Sequence, residues 1–137
     1  MNAVTEIVWL NEPKSVVFEF LAYVTNLPKW ATEFCERGRW DGADFKVTTS
    51  QGELIARCDP DARTGVIDMF AGPTKAQMGL FPVRVLGMAD GRTVVTFTFF
   101  HPPGLPDEMF ARQHASLRKE LAALPDVVRA NCAANKV

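Results

Sequence analysis

The chain has 137 residues, of which 47% are hydrophobic, and its 15 Lys and Arg against 16 Asp and Glu leave a net charge of -1. That length and apolar content suit one domain spanning 1–137 with a real core. The near-balance of charge lacks the basic excess that binding to a phosphate backbone requires, so nucleic acid is not an expected partner.

Val4 to Leu10 is mostly β-branched, aromatic or aliphatic and stops at Asn11-Glu12-Pro13, which predicts a strand. Pro13 then suits a helix start, and Val16, Val17, Phe20, Leu21 and Val24 follow at helical spacing, predicting a helix over about Pro13–Tyr23. Pro28 disfavours helix at Leu27 itself, and a second short helix is expected from about Leu27 to Phe34.

After Trp40 the runs "FKVTTS", "QGELIARCD", "RTGVIDMFA", "AQMGLFPVRVLGM" and "TVVTFTFF" alternate with turn signals, predicting an antiparallel meander of about five strands. Asp90-Gly91 between two apolar runs is the clearest hairpin signal, because glycine accepts positive φ without a Cβ clash. Leu105 to about Val128 reads as one long helix broken or frayed near Pro125, with a loose tail from about residue 129. The class is therefore α+β: about six curved antiparallel strands around a long C-terminal helix, with two short helices after the first strand.

Two stripes converge in this arrangement. Thr93, Val95, Phe97, Phe99 and His101 share one face of the last strand, the better core face. Phe110, His114, Leu117, Leu121 and Leu124 recur at steps of four and three on the last helix and form its apolar stripe. His101 and His114 are thus expected to look into one space.

The strings "EPKSVVFEFL", "NLPKWATEF", "GELIARCDPDARTGVIDM", "FPVRVLGMADGRTVVTFTFF" and "PGLPDEMFARQHASLRKELAAL" resemble the START-like superfamily (SRPBCC, polyketide cyclase/dehydrase), close to a group of uncharacterised bacterial proteins within it. The resemblance covers about Val4 to Leu124. It implies a helix-grip fold with a cavity between sheet and helix for an apolar or aromatic small molecule. The superfamily includes lipid carriers, hormone receptors and aromatase/cyclases, and it shares no universal catalytic motif, so the resemblance implies a cavity and leaves the chemistry open.

Within that frame the candidate ligand-binding residues are Trp30, Phe34, Trp40, Arg84, Phe97, Phe99, His101, Phe110, His114 and Leu117. A neutral imidazole donates from one nitrogen and accepts at the other, which makes His114 and His101 the candidates for orienting a ligand or acting as a general base. The alternative is that His114 bonds a backbone carbonyl in the core while His101 sits exposed at the strand end. Arg84 would bind an acidic ligand if it faced the cavity, or pair across strands with Asp68, for which Arg57 competes. Trp30, Phe34 and Trp40 fall where the fold would have its entrance, although aromatics at helical spacing also build ordinary core. Asp107 and Glu108 are explained by the dipole of the last helix.

No phosphate loop, nucleophile elbow or HExxH string is present, and two histidines without a carboxylate at ligand spacing do not predict a metal. Paired cysteine and histidine strings for an iron–sulfur cluster are absent too, so no cofactor is expected. Cys35, Cys58 and Cys132 are odd in number and widely spaced, which fits reduced thiols in the cytoplasm. Neither a leader nor an inserted membrane segment is expected. The first expectation for function is binding of a small hydrophobic, aromatic or acidic molecule. A cyclase or dehydratase using a cavity histidine is the second, and an interaction module around Phe81 and Phe110 the third; a homodimer is compatible with each.

Overall fold

The structure, a computed structural model, describes residues 2–134. Strand β1 (Ala3–Leu10) leads into helix α1 (Lys14–Ala22), a single 3-10 turn (Val24–Asn26) and the short helix α2 (Leu27–Trp30). Strands β2 (Arg37–Asp41), β3 (Asp44–Thr49), β4 (Gly52–Asp61), β5 (Val66–Thr74), β6 (Gln77–Gly87) and β7 (Thr93–Phe100) follow, and helix α3 (Asp107–Ala134) closes the chain. All seven strands form one antiparallel sheet in the order β1-β7-β6-β5-β4-β3-β2. The arrangement is the α+β helix grip expected, with one strand more.

That extra strand is β2. Its residues RGRWD are exposed throughout, so no alternation of apolar and polar side chains marks it. Pairing with β3 forms it, from Arg37 opposite Thr48 to Asp41 opposite Asp44. A bare Gly38 lets the Phe45 ring lie across the strand, where a Cβ would fall 2.2 Å from that ring.

The hairpin signal between β6 and β7 corresponds to a real turn: Gly91 has φ +88°, and Asp90 Oδ1 accepts the Arg92 N–H at 3.0 Å. Along β7 the alternation places Val95, Phe97 and Phe99 inward, fully or nearly buried. They join Leu10, Val17, Phe20, Leu21, Ile67, Val83 and Val85 in the main core, over which α3 lays Leu117, Leu121, Leu124 and Val128.

The break near Pro125 and the loose tail from about 129 are corrected by α3, which runs unbroken to Ala134; residues 135–137 lie outside the described residues. Proline inside a helix forfeits one backbone hydrogen bond and crowds the preceding turn. Here Leu124 and Val128, each 0% exposed, clamp the helix on both sides of Pro125, and their burial outweighs that local cost.

Candidate functional site

Between the sheet and α3 lies a cavity of about 590 Å³. Its wall is aromatic because three neighbouring elements each place rings toward the same hollow. Trp30 meets Phe97 edge-on at 6.0 Å, Phe81 lies 6.2 Å from Phe97, and Phe81 stacks on Phe99 at 6.0 Å and 10°. Phe99 in turn stacks on Phe110 at 5.0 Å, and His101 covers the far side of Phe110 at 4.4 Å. This ladder runs from α2 across β7 and β6 to the start of α3. Rigid rings of this kind present apolar area with few rotors to order, which suits a flat ligand.

Of the residues singled out from sequence, Trp30, Phe34, Phe97, Phe99, His101 and Leu117 line this cavity. Phe110 sits behind it, buried between the Phe99 and His101 rings. Trp40 is 56% exposed on the edge strand β2 and packs against Phe45 outside the cavity, because β2 turns it to the open face. Arg84 is exposed between the buried Val83 and Val85, opposite Val66 and Thr96, so strand alternation puts it on the outer face. The Arg84–Asp68 pair is not formed: Asp68 stands opposite Asp59 and Pro82. Arg57 pairs with Asp59 at 3.3 Å and lies over the Phe70 ring, and it lines the cavity as Arg112 does.

The two histidines do not share one space. His114 Nε2 meets Glu6 Oε1 of β1 at 2.6 Å, and Arg118 Nε approaches the same oxygen at 3.8 Å. His101 does reach the cavity rim, but its Nε2–H donates to the Leu105 carbonyl at 2.6 Å and its backbone N–H to Asn2 O at 2.8 Å. Nδ1 is 3.8 Å from the exposed carboxylate of Asp107. His101 is therefore a strut for the turn that starts α3.

Helix geometry explains the exchange of roles. At roughly 100° per residue, His114 lies about 60° to one side of Leu117 and Glu120 about 60° to the other. The first flank faces β1, and the second faces the cavity together with Gln113 and Ser116.

Glu120, missed from sequence, is 6% exposed. Its Oε2 accepts the backbone N–H groups of Glu33 and Phe34, each at 3.0 Å, and ties the segment after α2 to α3. Burial pushes its carboxyl up to about 7, against the two N–H bonds that pull it down, with the nearby Glu33 adding to the rise. The signal available was a single acid within a heptad of leucines, in "LRKELAAL". Cys58, which also lines the cavity, and Cys35 beside Glu120 have thiols pushed up to about 12, chiefly by burial, so neither is a ready nucleophile.

No family model matches the chain, and no curated protein matches it. Solved structures do. An uncharacterised protein from Bacillus thuringiensis is 15% identical with a TM-score of 0.71, covering 93% of this chain and 98% of that one. A START superfamily protein from Mycobacterium smegmatis is 13% identical with a TM-score of 0.65, over 93% of this chain and 97% of its own. The fold is START-like. The Zhui aromatase/cyclase from a Streptomyces species shares it, at 18% identity and a TM-score of 0.66 over 95% of this chain and 92% of its own. Among the described residues no helix is long and apolar enough to cross a membrane.

Proposed function

We propose that this START-like protein binds a small, largely apolar and aromatic molecule in the cavity beneath α3. The carrying observation is the aromatic ladder from Trp30 to Phe99 walling about 590 Å³ of open space, a volume within the range of small-molecule sites. An acidic group on the ligand would meet Arg57 or Arg112 rather than Arg84, since those two line the cavity. We place the protein in the cytoplasm, where its three unbonded cysteines would stay reduced.

The cyclase or dehydratase reading stands behind this one. A general base must reach the proton it removes, and the Nδ1 that His101 keeps free stands 3.8 Å from the exposed carboxylate of Asp107, while His114 faces Glu6 outside the cavity. The interaction-module reading is weaker still, because Phe110 is buried and Phe81 forms part of the cavity wall.

Native mass spectrometry of protein purified from its own host, followed by denaturation, tests the binding reading. One small apolar molecule released per chain is the expected result. Ala71→Trp, which would fill the cavity from β5, should purify empty. Retention of the same molecule by that folded variant would place binding elsewhere and end this reading.

A further inference from the structure

The cavity reading leaves one polar group unexplained. Glu120 is the one carboxylate among the residues that line the hollow, it is buried, and its two oxygens are used unequally. Oε2 takes both N–H groups of the segment after α2, whereas Oε1 accepts no hydrogen bond from the described residues. Among them the one fully enclosed side-chain oxygen without a partner is Glu12 Oε1, so Glu120 Oε1 keeps access to open space.

If the carboxyl served only to fasten the loop, a glutamine would do as well and would avoid the cost of a buried charge. A carboxylate differs from an amide in offering a strong acceptor with no donor on the cavity side.

We propose that Glu120 is the polar anchor of the cavity, its Oε1 accepting a hydrogen bond from a hydroxyl or amine at one end of a ligand with an aromatic body. The anchor specifies a hydrogen-bond donor and disfavours a purely hydrocarbon ligand. This rests on the cavity reading and narrows its substrate class.

The charges around the anchor fit that role. Glu33 and Cys35 approach from the segment after α2, and both are acids in the chemical sense, with no cation offered there; Lys119 of α3 is turned outward to Glu33 at 3.7 Å. From β4 come Arg57, already held by Asp59, and the protonated Cys58. His101 at the end of β7 is committed to Leu105, and Arg112 stands two turns back along α3, about 12 Å in rise from Glu120. Glu120 therefore lacks an internal cation, and a hydrogen-bond donor from a ligand is the partner its geometry accommodates. Below a pH of about 7 the carboxyl is protonated, and with Oε2 facing two N–H groups the proton belongs on Oε1. There it ceases to be a strong acceptor, and the preference for a donor ligand should shrink.

The test compares 2-naphthol with 2-methylnaphthalene, which share a ring system and differ in the hydroxyl, by titration at about pH 5.5 and about pH 8.5. The intact protein should prefer 2-naphthol by roughly ten-fold or more at the higher pH, and by less at the lower. Glu120→Gln keeps an oxygen for the two N–H groups but turns an amide N–H toward the cavity. It should bring the ratio near one at both pH values while leaving 2-methylnaphthalene affinity within about two-fold. The pH profile of the unmodified protein supplies a second readout should the variant not fold. A ratio near one in the unmodified protein, or a preference that survives Glu120→Gln, overturns the anchor and leaves the cavity reading standing. Binding of neither compound overturns the cavity reading itself.

Discussion

The two halves of α3 do opposite things. From Leu121 onward the helix is pressed into the main core, with Leu121, Leu124 and Val128 buried to 3% exposure or less. From Arg112 to Glu120 the same helix roofs a hollow and presents Gln113, Ser116 and Glu120 beside Leu117. One regular backbone thus serves as a clamp at one end and as a lid at the other. The difference lies in which side chains oppose it: aliphatic β-branched and leucine side chains interdigitate to solid density, whereas large rings held in a ladder leave space between them.

Truncating a leucine in each half tests this division most strongly. Leu124→Ala would open an enclosed void under Pro125 and should cost about 3–5 kcal/mol, the transfer and cavity terms adding. Leu117→Ala borders space already open, so only the transfer term remains, about 2 kcal/mol. Urea denaturation of both variants measures the gap. Equal losses would mean that the hollow closes in solution and that the two halves are packed alike.

The next largest effect belongs to Glu120. Its carboxyl titrates at about 7 in the folded protein and near 4.5 when unfolded, because burial disfavours the charge. Between those values the folded state binds the extra proton, so this group favours folding at low pH. Stability should fall as pH rises from 4.5 to about 7, by on the order of 3 kcal/mol over the window. Glu120→Gln should flatten that slope while retaining an acceptor for Glu33 and Phe34. A slope unchanged in the variant would assign the pH dependence to another group.

What could be read in advance follows the same division. The face of β7 was legible because a period of two forces Phe97 and Phe99 together, and Asp90-Gly91 fixed the hairpin that sets their register with β6. The stripe of α3 was legible as far as Leu117, Leu121 and Leu124 for the same reason of period. The flanks were not. A helical pattern reveals which side is apolar, but whether His114 or Glu120 borders a hollow depends on what opposes each one, and that is decided by β1 and by the segment after α2. β2 escaped notice because backbone pairing, with no apolar alternation, forms it, and Trp40 travelled with it to the outside. Arg84 could have been placed by alternation alone, since the buried Val83 and Val85 flank it.

His114 gives the smallest effect and the sharpest contrast with Glu120, its counterpart across the stripe. Its contact with Glu6 is short, at 2.6 Å, yet about a quarter of each side chain meets solvent, and Arg118 offers Glu6 another partner at 3.8 Å. Solvent screening and that substitute partner should hold the loss in His114→Ala to about 1 kcal/mol or less. Binding of 2-naphthol should stay unchanged, because the imidazole stands on the β1 flank while the cavity opens on the other. The same titration used for Glu120→Gln measures this. A loss of affinity as large as that expected for Glu120→Gln would mean that the β1 flank also borders the ligand, and the functional division of α3 would then run along its length rather than across its stripe.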